Sequence, residues 1–167
     1  LNSKAAKPVL IIGKNGTLGK AFAKVCEDRH ITYHLLSRKD CDISSLQSIE
    51  IAIAFYKPWA IINAAGYVRV DDAEQETDNC FRDNSTGAAN LAIACNNNDI
   101  QLVTFSSDLV FDGKKDTPYM EDDIVNPLNI YGHSKAQSEA QVKELNPQTL
   151  IIRTSAFFGP WDRYNFL

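Results

Sequence analysis

Pro8-Val9-Leu10-Ile11-Ile12-Gly13-Lys14-Asn15-Gly16-Thr17-Leu18-Gly19 is the stretch whose reading decides the fold. Its first part is a short, continuous apolar run rich in β-branched side chains. Such a run suits a strand buried on both faces of a parallel sheet. It stops at Gly13, and a helical pattern follows with Leu18, Phe22 and Val25 at its apolar positions. Strand, glycine turn and helix in succession open a dinucleotide-binding βα unit. Glycine permits the tight turn and lets backbone N–H groups approach a pyrophosphate at the helix N-terminus. The spacing is G-x-x-G-x-x-G rather than G-x-G-x-x-G, so a plain strand-to-helix turn stays open at this point. Gly13, Asn15, Gly16, Thr17, Leu18 and Gly19 are the candidate cofactor contacts of this turn.

Outward from that unit, strand and helix patterns alternate. Ile31–Leu36, Trp59–Asn63, Ile100–Phe105 and Thr149–Arg153 read as further strands. One helix begins near Ser44 with Asp42 as its cap and Leu46, Ile49, Ile53 and Ala54 as its stripe, and Pro58 stops it. A second runs from Thr77 to Asn98 with Cys80, Phe81, Ala88, Leu91, Ala92 and Cys95 on one side. A third is entered through Asn126-Pro127 and carries Tyr131 and Lys135. The expected fold class is α/β, a Rossmann-type doubly wound parallel sheet with helices on both faces, forming one nucleotide-binding domain over residues 1–167.

Composition excludes several functions. The 167 residues are 44% hydrophobic and 23% charged, enough for a packed core. Net charge is -4 with no dense basic cluster, which disfavours nucleic-acid binding. The sequence has no membrane-length apolar run and no signal peptide, so no membrane partner is expected. Cys26, Cys41, Cys80 and Cys95 form no C-x-x-C pair and have no histidine at ligand spacing. They read as reduced structural thiols of a cytoplasmic protein, with no metal site. The chain does not begin with Met, and Trp161 to Leu167 lacks the composition of a tail, so a piece of a longer protein is expected.

The chemistry gathers at the expected strand ends. Ser37-Arg38 follows the second strand, where such folds inspect the adenosine ribose. Arg38 can fork onto a 2′-phosphate and Ser37 can donate to it, which favours NADP(H) with NAD(H) as the alternative. Asp40 nearby works the other way. Ala64-Ala65-Gly66 would let a flat cofactor lie against the backbone. A hydroxyl, Ser106 or Ser107, closes the fourth strand. Tyr131 and Lys135, four apart, share a helix face. Reduction of a carbonyl leaves an alkoxide that needs a proton. A tyrosine ordinarily holds its proton to about pH 10, and a neighbouring Lys⁺ is expected to draw that value down.

In this order, the motifs resemble the extended short-chain dehydrogenase/reductases, and within them the dTDP-4-dehydrorhamnose reductase group. The likeness is carried by Ile61 to Tyr67, Val70 to Glu74, Asn84 to Ala92, Ser106 to Gly113, Asn126 to Lys135 and Arg153-Thr154-Ser155. It implies an enzyme that uses NADPH or NADH to reduce the 4-keto group of a nucleotide-linked 6-deoxysugar. By the same resemblance Tyr131 is the proton donor, Lys135 its partner and Ser107 the catalytic hydroxyl. It further implies cofactor contacts at Asp42, Ile43, Asn63, Ala64, Ala65, Tyr67, Asn84 and Ser106, and substrate-side positions at Val68, Val70, Asp108 and Leu109. Leu109, Val68 and Ala156 stand where the group usually has Tyr, Thr and Trp. The group also has a C-terminal substrate portion largely absent here, so this chain alone is expected to be inactive. A homodimer is one assembly the resemblance allows. Two other readings stand beside it: a non-catalytic NADP-binding regulatory subunit, and an NAD-dependent sugar-nucleotide epimerase or dehydratase. Ser37-Arg38 speaks against the last, which usually shows an acidic residue there.

Overall fold

The computed structural model describes residues 6–159. Among the described residues five parallel strands form one sheet: β1 (Val9–Ile12), β2 (Tyr33–Leu36), β3 (Ala60–Asn63), β4 (Gln101–Ser107) and β5 (Leu150–Thr154). Their order is β2-β1-β3-β4-β5. Val9 pairs with Tyr33 on one side and Ala60 on the other, so β1 is central and all four of its residues are buried. The helices are α1 (Thr17–Asp28), α2 (Leu46–Tyr56), α3 (Thr77–Phe81), α4 (Gly87–Asn97) and α5 (Ile130–Leu145).

Period-two alternation along β1 divides the core. Leu10 and Ile12 face Ile49 and Ile53 of α2, Leu91 and Cys95 of α4, and Val142 of α5. Val9 and Ile11 face Ala23 and Cys26 of α1. Helices therefore cover both faces, as expected of a doubly wound sheet. Leu10, Ile61 and Leu91 are at most 1% exposed, and each such side chain contributes roughly 1.5–3 kcal/mol over an exposed one. All four cysteines are buried free thiols. No helix among the described residues is long and apolar enough to cross a membrane.

Several boundaries and faces differ from the sequence reading. Val25 is 50% exposed; α1 instead buries the small residues Gly19, Ala23 and Cys26. Small side chains let the helix lie close to the sheet, and a Cβ on Gly19 would stand 2.2 Å from the Gly13 carbonyl oxygen. The Ile31 amide donates to the Cys26 carbonyl in the turn that follows α1, so β2 starts two residues later than its apolar run. Ser45, not Asp42, caps α2, accepting from the Ser48 amide. Asp42 accepts from the Ser44 amide and hydroxyl, building the turn before the cap. Ala54 is exposed and Ala52 takes its place in the core. Lys57, in the left-handed region, ends α2 ahead of Pro58.

The long helix expected over 77–98 is interrupted. Arg82–Thr86 forms a π-helical turn between α3 and α4. One wide turn rotates the residues after it, and it buries Asp83, Asn84 and Ser85 in succession. In a regular helix, turning about 100° per residue, three consecutive positions span about 200° and are buried together only where the helix is covered on several sides. Each finds a polar partner: Asp83 on Arg38, Asn84 on Ser134, Ser85 on Gln141.

Candidate active site

The strand order switches direction between β1 and β3, and open α/β sheets bind ligands at the carboxyl ends of strands at such a point. The predicted groups meet along that edge. Gly13 has φ +122°, and a Cβ there would lie 2.5 Å from the Ala64 carbonyl oxygen, so the loops after β1 and β3 touch through backbone alone. Both Gly13 and Lys14 amides donate to the Leu36 carbonyl, tying in the end of β2. Gly16 is the N-cap of α1, with no side chain capping the helix and no acidic residue in its first turn. Asn15 and Gly16 are exposed; Thr17 and Leu18 are half-buried. This glycine-lined cradle at a positive helix end fits the diphosphate of a dinucleotide.

At the end of β2, the Ser37 amide and hydroxyl donate to Asp40 at 2.8 and 2.7 Å. The Arg38 guanidinium donates to the buried Asp83 at 2.5 Å. Burial would raise the Asp42 carboxyl, but hydrogen bonds from Ser44 and the charges of Arg38 and Arg82 hold it below its usual range. Ile43 packs against Gly87, and its carbonyl accepts from Asn90. At the end of β3, Asn63 donates to Thr104 on β4 at 3.1 Å and accepts from the Ala65 amide at 3.2 Å, which turns the chain across the edge. Asn84 accepts from the Tyr67 amide at 2.8 Å and donates to Ser134 at 3.0 Å, and Ser134 donates to the Tyr131 carbonyl at 2.7 Å.

The end of the edge that carries Ser107 and Tyr131 is built on two short-range contacts. Ser107, the last residue of β4, caps a 3-10 turn (Asp108–Val110) by accepting from the Leu109 amide at 3.1 Å, and donates to Asp108 at 2.9 Å. Asn129 caps α5 by accepting from the Gly132 amide at 2.7 Å. The first turn of α5 then rests on the 3-10 turn, where a Cβ on Gly132 would stand 2.3 Å from the Leu109 carbonyl oxygen. Tyr131 is thereby brought beside Ser107, whose hydroxyl favours the phenolate form. The Lys135 ammonium donates to the Phe105 carbonyl at 3.1 Å and lies 5.8 Å from the centre of the Tyr131 ring. The Ser106 hydroxyl is buried and has no hydrogen-bond partner among the described residues, an orphaned group that a bound cofactor or substrate could satisfy.

The electrostatics differ from expectation. The charge of Lys135 alone predicts a lowered tyrosine pKa. Instead burial pushes the Tyr131 phenol above its ordinary value, the neighbouring Ser107 hydroxyl only partly opposing it. Burial brings Lys135 itself down to about 8. Desolvation penalises the charged form of each, so each keeps its neutral form more readily than in water. A phenol that holds its proton beside a hydroxyl can polarise a carbonyl and then protonate the alkoxide.

Asp108 and Leu109 line a cleft of about 640 Å³ with Phe111, Tyr119, Arg153 and Ser155. Phe111 and Tyr119 stack at 4.1 Å, and the Arg153 guanidinium lies 4.9 Å over Phe111 while forking onto Glu139 at 2.9 and 2.7 Å. Val68, 75% exposed, and Val70 do not line this cleft. Sequence reasoning missed Asp83 and Ser134. A polar residue at the buried face of a helix pattern was the available signal.

The family model described as RmlD substrate binding domain matches residues 7–167. The chain is 38% identical over 161 residues to the dTDP-4-dehydrorhamnose reductase of Aggregatibacter actinomycetemcomitans, covering 95% of this chain and 54% of that protein. It is 32% identical to the dTDP-4-keto-6-deoxy-D-glucose reductase of Streptomyces niveus, covering 90% of this chain and 52% of that one. The crystal structure of dTDP-4-dehydrorhamnose reductase from Bacillus anthracis in complex with NADP superposes with a TM-score of 0.90 at 35% identity, covering 96% of this chain and 57% of that chain. The chain thus spans about half the length of the curated relatives it matches.

Proposed function

The chain belongs to the RmlD substrate binding domain family, and on that premise we propose that it is the cofactor-holding, proton-donating part of a nucleotide-sugar reductase. The reaction is reduction of the 4-keto group of a nucleotide-linked 6-deoxysugar at the expense of NADPH, with NADH as the weaker donor. The dTDP sugars of the two reductases above are the substrate class. Residues 1–167 act as one nucleotide-binding domain of the whole protein.

The observation that carries this reading is the seating of the first turn of α5 on the Asp108–Val110 turn, which brings Tyr131 beside Ser107 with the Lys135 ammonium 5.8 Å from its ring. The glycine cradle after β1, the loop after β2 and the small residues after β3 fit NADP(H), which when bound supplies a hydride. Ser107 holds the substrate carbonyl by hydrogen bonding. Tyr131 gives its proton to the oxygen as the alkoxide forms. Its raised pKa supports this role, since the proton stays on the phenol until the stronger base appears. Lys135, bonded to the Phe105 carbonyl, orients the cofactor's ribose side of the site. Asp108 and Leu109 meet the sugar from the 640 Å³ cleft.

The test uses the full-length protein with NADPH and a panel of nucleotide 4-keto-6-deoxysugars, following cofactor absorbance. Turnover with at least one dTDP sugar is expected. Tyr131→Phe should bind NADPH as before and lose reduction; retained turnover dismisses the assignment of Tyr131.

A further inference from the structure

Asp83 has no part in the chemistry above, yet it is a buried carboxylate with two guanidinium partners. Its Oδ2 accepts from Arg38 at 2.5 Å and its Oδ1 from Arg82 at 2.9 Å. Asp83 is 7% exposed at its side chain, whereas Arg38 is 58% exposed. The π turn makes this contact, joining residues 45 apart in sequence. The bond uses one terminal nitrogen of Arg38, so its planar fork is anchored at one edge and open at the other.

We propose that Asp83 is the positioning residue that selects the coenzyme, by holding Arg38 where it meets the 2′-phosphate of NADPH. This rests on the cofactor reading above. Arg38, Arg82, Asp83 and Asp42 interact as two cations and two anions, so their charges cancel. A phosphate is then drawn by aimed N–H donors more than by net field. Ser37 offers little in this arrangement, its amide and hydroxyl being spent on Asp40. An unanchored arginine would lose rotamer freedom on binding; an anchored one has already lost it.

Two effects make opposite predictions for Asp83→Asn. Removing the carboxylate adds a net positive charge, and a field mechanism would tighten NADPH. Positioning predicts that NADPH weakens by about tenfold while NADH changes less than about twofold. Dissociation constants for both coenzymes should be measured by fluorescence titration of Asp83→Asn, Arg38→Met and the double variant. The ³¹P resonance of the 2′-phosphate reports the contact directly. The proposal requires that Asp83→Asn costs nothing further once Arg38 is Met, and that its 2′-phosphate shift moves toward that of free NADPH. Arg38→Lys, which keeps the charge and loses the fork at an exposed site, should lose the same selectivity; it serves as the test if Asp83→Asn does not fold. Tighter NADPH binding, equal loss for both coenzymes, or an undiminished effect in the Arg38→Met background overturns the proposal. If the unaltered chain binds neither coenzyme, the reductase reading falls first. If it binds NADPH and Arg38→Met binds it equally well, only the present proposal falls.

Discussion

Gly132→Ala separates helix propensity from the geometry of the site. In the first turn of α5, propensity alone favours alanine by about 1 kcal/mol. The added Cβ, however, would stand 2.3 Å from the Leu109 carbonyl oxygen and 3.1 Å from Asn129 Oδ1. Restoring ordinary contact requires a lift of about 1 Å, and the near atom is backbone, which cannot swing away. Overpacking of this kind costs about 1–3 kcal/mol, and disturbing the Asn129 cap about 1 more. The net expectation is a loss of about 2 kcal/mol in urea unfolding. The same lift parts Tyr131 from Ser107, and a displacement of about 1 Å costs roughly a hundredfold in rate for the full-length protein. Gly87→Ala is the comparison: its Cβ meets the Ile43 side chain at 2.7 Å, which can yield, so a smaller loss is expected. A Gly132→Ala protein as stable as the parent, with unchanged turnover, would refute the argument that α5 is seated on the 3-10 turn.

Other outcomes follow from the same structure. Leu91→Ala, fully buried, should cost about 2–5 kcal/mol in urea unfolding, while Phe55→Ala, 77% exposed, stays within about 0.5 kcal/mol. Lys135 has a folded value of about 8, below its ordinary 10.5, so the unfolded chain binds more protons between those values. Its penalty is full below about pH 8 and fades as pH rises toward 10.5, so Lys135→Met should flatten a rise in melting temperature across that window. Asp112 is held down to about 2 by hydrogen bonds from Tyr119, the Lys114 amide and Asn126. Its contribution is present above about pH 4 and lost as pH falls through about 2. Asp112→Ala should speed proteolytic cutting of the 111–129 loop at neutral pH; an unchanged rate would show that the carboxylate does not order it.

What could be read from sequence was local. Val9–Ile12, the glycine turn and the start of α1 lie within one βα unit, and the period of the apolar residues is enough to place them. Tyr131 and Lys135 share a helix face because the spacing alone dictates it. Val25 misled because the pattern identifies apolar side chains, while α1 packs through its small ones. Asp42 misled because two acceptors, Asp42 and Ser45, stand three residues apart and either can begin a helix. The sequence marks Arg38 as a candidate phosphate reader, but its partner Asp83 lies 45 residues away and carries no local signal. The tyrosine's raised pKa was missed for a related reason: the charge of Lys135 is visible in sequence, and the burial that outweighs it is not.

The π turn at Arg82–Thr86 carries one residue more than an ordinary helical turn in the same rotation. The surplus is absorbed locally, so α3 and α4 keep the phase that buries both Cys80 and Leu91, one on either side of it. Deleting one residue within the turn should let the backbone return to ordinary helical bonding with those two side chains still inside, at the cost of the buried succession Asp83, Asn84 and Ser85. Deleting one residue within α4 has no such relief: it swings the two sides by about 100° relative to each other and should be ruinous. A replacement at the exposed Thr86 should pass almost unnoticed. The turn is thus a place where this segment accepts a change of length, a property that a count of tolerated substitutions would never reveal.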